Sequence, residues 1–159
     1  MSMVVSNTSP LNYLIQIGAV DLLPQLHGSI HVPRSVSDEL SAPAAPSVVC
    51  RWILARPDWL VVHDDPQVER SELKHLHRGE TAAITLSLSL GASLLLMDDL
   101  DGRIAARGAG LTIMGTLGVL DAGARKAHVD FPAKITALLA TNFRVPRKLV
   151  EALMKRHVH

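Results

Sequence analysis

Five polar residues stand where short apolar runs end. The stretch "LLLMDDLDGR", Leu94 to Arg103, closes an apolar run on Asp98 and Asp99, with Asp101 just behind. Glu80, in "RGETAAI", is a charge at the head of an otherwise apolar helix. Asn7 follows the run Met3-Val4-Val5, and Glu39 lies in "VPRSVSDEL", behind Ile30-His31-Val32. These side chains offer oxygen donors only. Carboxylates gathered in one cleft raise one another's pKa and repel unless a cation is present. Mg²⁺ or Mn²⁺ suits such an all-oxygen set. No His–Cys pattern with zinc spacing exists. Cys50 is the single cysteine, and His75 and His77 are two apart on an expected helix, so they point in different directions. His157 and His159 stand at a terminus expected to fray.

Each residue also has an ordinary structural role open to it. Glu80 can face the positive end of its helix dipole. Glu39 can be a solvated helix residue, and Asp98 or Asp99 an N-cap. Asn7 suits a turn. Taken together, the five positions point to one acidic pocket.

The elements that must position them alternate in type. Strands are expected at Met3–Val5, Ile30–Val32, Trp59–Val62, Ser93–Met97 and Leu111–Met114. Helices are expected after Pro10, near 21–26, after Pro33, over 48–55, 68–77, 79–90, 100–107 and 117–126, and at 132–140 and 146–156. The proline- and alanine-rich stretch Ser41 to Ser47 reads as a loop. Short strands, apolar on both faces and separated by helices, predict a parallel sheet with helices on both sides. The carboxyl ends of such strands form one edge, where sites sit. Asn7, Glu39, Asp98 and Asp99 are delivered there by strand and turn, and Glu80 by the helix leading into the Leu94 strand.

Composition bounds the function. A chain of 159 residues that is 48% apolar can fold as one domain with a real core. Aromatics are only 3%, which argues against stacking platforms for single-stranded bases. The net charge of +1 gives no overall basic field, so nucleic-acid contact would need local patches. The lone cysteine fits a reducing compartment. The start of the chain lacks a signal-peptide pattern, and no apolar run reaches the length of a membrane helix. A cytoplasmic protein is the expectation.

The segments "VVSNTSPL", "VPRSVSDEL", "HRGETAAI", "LLLMDDLDGRIAA" and "GLTIMGTLGVL" occur in the order found in PIN-domain proteins. The likeness is to the PIN-like branch of small prokaryotic predicted nucleic-acid-binding proteins, and it runs to "NFRVPRKLVEALMKR" near the chain end. The resemblance implies one domain over 1–159, with C-terminal helices from about 132 to 156. It implies a three-layer α/β/α sandwich on a central parallel, Rossmann-like sheet. It also implies Mg²⁺- or Mn²⁺-dependent cleavage of RNA, often by a toxin held inactive by an antitoxin partner. Carried across, metal ligation falls on Asn7, Glu39, Glu80 and Asp98, with Asp99 as neighbour or substitute, and catalysis on Glu39, Glu80 and Asp98. The departure is Asn7, where the family usually has aspartate. One neutral carbonyl oxygen replaces two charged ones, so metal binding weakens and a two-metal site is harder to build.

Thr8, Ser9 and Thr116 can orient a water, touch phosphate or cap helices. Arg103 and Arg107 share a helix face that is either solvated or turned to RNA or an antitoxin carboxylate. Arg144, Arg147 and Lys148, with Lys155 and Arg156, make the C-terminal segment basic and are the best candidates for phosphate contact. Family members are usually homodimers, and the apolar early helices (Leu11, Leu14, Ile17, Leu22, Leu23) can serve as interface or as core. The competing reading is a nucleic-acid- or protein-binding module that keeps the pocket but lacks turnover because of Asn7. A phospho-acceptor signalling domain fits less well, because no lysine follows the strand Leu111 to Met114.

Overall fold

In the computed structural model, which describes residues 2–157, Val4, Val5 and Ser6 pair in parallel with Leu94, Leu95 and Leu96. Side chains alternate across this pair. Val4 and Leu96 enter one core cluster, and Val5, Leu95 and Met97 enter the other. A strand buried on both faces must be covered on both, and this forces a layer of helices above and below.

The strands are β1 (Val4–Ser6), β2 (Ile30–Pro33), β3 (Leu60–His63), β4 (Leu94–Leu96) and β5 (Ile113–Met114). They form one all-parallel sheet in the order β3-β2-β1-β4-β5. The helices are α1 (Thr8–Gln16), α2 (Leu22–His27), α3 (Arg34–Leu40), α4 (Ser47–Leu54), α5 (Arg78–Leu90), α6 (Leu100–Gly108), α7 (Thr116–Arg125), α8 (Phe131–Leu139) and α9 (Arg147–His157). The larger core lies under α1–α4, α7 and α8, whose Leu14, Leu23, Leu40, Ile53, Leu120 and Phe131 fill it. The smaller core lies under α5 and α6, around Ala83, Ile84, Leu86 and Ala106. The result is an α/β/α sandwich, as the strand–helix alternation predicts.

Strand order places the site. The chain runs outward from β1 through β2 to β3, then returns to the other side of β1 as β4. The reversal makes a switch point between β1 and β4, and the crevice beyond their carboxyl ends is where open α/β sheets bind ligands. Asn7 and Asp98 leave these two strands.

One sequence expectation is corrected here, and one open alternative is decided. Residues 68–77 are not a helix. Only Ser71–Leu73 makes a short 3-10 turn, pinned by the buried Leu73. The segment carries Leu73 and Leu76 but no longer apolar stripe, so a regular helix would gain little burial. Of the two roles open to Leu11, Leu14, Ile17, Leu22 and Leu23, the structure shows the core: all five are buried. Among the described residues, no helix is long and apolar enough to cross a membrane.

Candidate metal centre

Asn7 sits at the N-cap position of α1, yet its side chain caps nothing. Its backbone N–H donates to the Leu96 carbonyl at 2.9 Å, which ties the end of β1 to β4. Its side chain is buried, and Oδ1 has no partner. A buried amide oxygen left unpaired costs about 1–3 kcal/mol, so an ordinary turn asparagine would not be built this way. The next residue, Thr8, donates its hydroxyl to Glu39 Oε2 at 2.5 Å. The start of α1 is thereby joined to α3.

Glu80 comes from the other side of the sheet. Helix α5 packs on β1, β2 and β4 and touches α3, so its first turn reaches the same edge. Glu80 is buried; Oε1 meets His77 Nε2 and Oε2 has no partner. His77 Nδ1 also lies 3.9 Å from Glu39 Oε1. One imidazole therefore bridges two carboxylates on two helices. His77 is the N-cap residue of α5, outside any helix, and faces this pair. Its spacing of three residues before Glu80, at the head of a helix, was the available signal.

Asp98 and Asp99 differ in role. Asp99 is the N-cap of α6 and accepts from the Gly102 N–H at 2.9 Å. That bond holds its carboxyl below the usual range. Asp98 accepts from both the N–H and the hydroxyl of Thr116, each at 2.7 Å. Burial nevertheless pushes the Asp98 carboxyl above its usual range, against these bonds and the nearby Arg103 charge. Glu80 is pushed up to about 7, first by burial, then by the neighbouring Asp99 carboxyl and by the charges of Glu39 and Asp101. A carboxyl titrating there can hold or release a proton at neutral pH.

Three glycines leave room for these acids. A Cβ on Gly79 would collide with Glu39 Oε1. One on Gly102 would lie 2.9 Å from Glu80 Oε2, and one on Gly115 would lie 2.9 Å from Asp98 Oδ1 and 3.5 Å from Arg103 Nη1. Glu39 and Glu80 are thus linked through His77, and Asp99 lies near enough to Glu80 to raise its pKa. Asn7 and Asp98 leave neighbouring strands at the same edge. Among the described residues, no three His, Cys, Asp or Glu side chains form a tight cage.

The family described as PIN domain matches residues 3–158. The chain belongs to the PIN-domain family. No curated protein and no solved structure matches it. A PIN domain is a nuclease-like fold, and PIN domains generally bind divalent metals. The residues present fit such an ion, because every donor is oxygen and the Asn7 and Glu80 oxygens are buried without partners.

The cationic candidates separate in this PIN domain. Arg103 and Arg144 line a groove of about 740 Å³ that opens beside Asp98, with Phe143, Leu117 and Leu149 on its apolar walls. Arg107 is exposed on the same helix as Arg103. Arg147 is 93% exposed and paired with Glu151 at 3.3 Å, and Lys148 is exposed beside it. The end of α9 is not frayed at His157, whose Nε2 donates to Asp121 Oδ1 at 2.7 Å and whose ring stacks on Phe131. His159 lies outside the described residues.

Proposed function

We propose that this PIN domain is a Mg²⁺- or Mn²⁺-dependent endoribonuclease, acting in the cytoplasm as the toxin of a toxin–antitoxin pair. The observation that carries the reading is the pair of buried, unpartnered oxygens, Asn7 Oδ1 and Glu80 Oε2, near the switch point of the sheet. Asn7, Glu39, Glu80 and Asp98 would hold the cation, with Asp99 beside them. When bound, the cation neutralises phosphate charge and lowers the pKa of a water. Thr8 fixes the Glu39 carboxylate, and Thr116 fixes Asp98. Glu80 can carry a proton near pH 7 and would give it up to solvent when a cation binds the carboxylate. Arg103 and Arg144 flank the groove beside Asp98 and would bind the RNA backbone there. The partners are the RNA substrate, an antitoxin protein and a second copy of the chain. Leu100 and Ile104, one turn apart and exposed on α6, are an apolar surface open to such a partner.

Asn7 supports a second reading, a binding module without turnover, because it brings one charge fewer to the pocket. Two measurements separate the readings. Mn²⁺ should raise the melting temperature of the wild type, since a ligand that binds only the folded state stabilises it. Glu80→Gln should remove that response and any cleavage of single-stranded RNA. A wild type that gains stability from Mn²⁺ but cuts only after Asn7→Asp is the binding module. A wild type that responds to neither Mn²⁺ nor RNA sinks both.

A further inference from the structure

Beside Glu39 lies a second cleft, of about 420 Å³, whose Asn12, Gln16 and Asn142 have no part in the metal centre. Its polar lining is three neutral carboxamides, Asn12 and Gln16 on α1 and Asn142 after α8, and Thr8 and Glu39 line it too. Alanines and a proline of the loop after α3 complete the walls. Asn12 and Gln16 are four residues apart and so stand on one face of α1. Asn142 is held in place: Tyr13 donates its hydroxyl to Asn142 Oδ1 at 2.8 Å. Tyr13 in turn packs edge-on against Phe143, with ring centroids 4.9 Å apart. The Asn142 amide group therefore keeps its N–H donors for a ligand.

We infer that this cleft seats one unpaired nucleobase of the RNA strand and reads its hydrogen-bonding edge through Asn12, Gln16 and Asn142. The chemistry excludes a phosphate, since no lining residue is cationic and Glu39 is an acid. A base is neutral and planar and presents donors and acceptors together. Carboxamides match that pattern, as each offers one acceptor oxygen and two N–H donors. Small apolar walls accept its faces. The cleft shares Thr8 and Glu39 with the candidate metal centre, so the base read belongs to a nucleotide next to the bond being cut. This rests on the ribonuclease reading and adds to it a preference for one base.

The test measures binding, so that turnover does not enter. The full chain carrying Glu80→Gln is titrated in Mg²⁺ with four pentanucleotide RNAs, each of a single base. One RNA should bind about tenfold tighter than the worst, in keeping with a well-placed amide–base pair. Asn12→Ala, Gln16→Ala and Asn142→Ala, added singly, should each shrink that ratio while leaving the weakest RNA's affinity within about twofold. All three side chains are at least partly exposed, so the variants should fold, and thermal melts check this. If one does not, Gln16→Glu replaces the donor with a carboxylate at nearly constant shape and should also remove the preference. Equal binding of the four RNAs overturns the base seat, leaves RNA binding intact and turns the cleft over to a neutral peptide. A preference untouched by all three alanines also overturns it. Binding of none of the RNAs removes the ribonuclease reading, and the base seat falls with it.

Discussion

Thr116 donates both its backbone N–H and its hydroxyl to Asp98, so one residue at the head of α7 occupies both oxygens of a carboxylate at the end of β4. Burial favours the protonated form of Asp98, and these bonds favour the anion. The hydroxyl is the separable half. Thr116→Val keeps the N–H and the shape but leaves one part-buried Asp98 oxygen without its partner. The variant should lose about 1–3 kcal/mol in urea unfolding, the usual cost of such a group. Thr116→Ser should recover most of it. Equal stability of Val and Ser variants would mean that the hydroxyl bond contributes nothing.

Glu80 gives the metal-free protein a pH dependence with a definite sign. In the unfolded chain its carboxyl titrates near 4.5; in the fold it keeps its proton up to about 7. Between these values the folded state binds more protons than the unfolded one, so stability falls as pH rises. This contribution is full below about 4.5 and is lost as pH passes 7. With EDTA present, the denaturation midpoint should drop across that window, and Glu80→Gln should flatten the drop. Mn²⁺ should act in the opposite direction, because binding requires the anion. A wild-type profile that matches Glu80→Gln would show that burial does not perturb this group.

The sheet was readable because each strand is a short apolar run between turn residues, as Val4-Val5 and Leu94-Leu95-Leu96 show. Glu80 and Asp98 were readable for the same reason, being charges at the ends of apolar segments. His77 was legible only in part: its spacing before Glu80 is local, but its reach to Glu39 depends on contact between α5 and α3, which no local spacing encodes. The helix expected over 68–77 failed because its charged residues fit a helix pattern that tertiary packing did not reward. His157 was misjudged for a related reason. Nothing near it in sequence reveals Asp121, which lies 36 residues away.

Gly79 tests whether Glu39 belongs to the metal centre without replacing a carboxylate. An added methyl would strike Glu39 Oε1, the free end of a flexible side chain. The side chain can swing away, and alanine is the better helix former, so Gly79→Ala should keep or slightly raise metal-free stability. The same swing should cut the melting-temperature gain from Mn²⁺ by at least half. Full retention of that gain would remove Glu39 from the centre.

Asp121 is buried on α7 and meets His157 at 2.7 Å, Arg125 at 3.2 Å and Arg156 at 3.5 Å. Both arginines are more than half exposed and contribute little. His157 is partly buried, stacked on Phe131, and carries the link between α9 and α7. His157→Ala should therefore cost about 1–3 kcal/mol, measured by urea unfolding, whereas Arg125→Ala should cost under about 1 kcal/mol. Two equal small losses would show that α9 is held by its apolar face alone.

The basic C-terminal segment divides at Pro146. Arg144 lines the groove that contains Asp98 and Arg103, whereas Arg147 extends into solvent and is already paired with Glu151. A cation that neutralises a phosphate releases counterions, so its removal flattens the dependence of affinity on salt by roughly 0.7 in a log–log plot for single strands. Arg144→Ala and Arg103→Ala should each reduce the slope by about that amount and weaken binding of every RNA alike. Arg147→Ala should leave the slope unchanged, because Glu151 accompanies that charge with or without RNA. Lys148, beside it and outside the groove, should follow Arg147. The measurement is RNA affinity between about 50 and 200 mM salt, where a few phosphate contacts have large effects. A slope that responds to Arg147 and Lys148 but not to Arg144 and Arg103 would move the strand off the groove and onto the outer face of α9, away from Asp98.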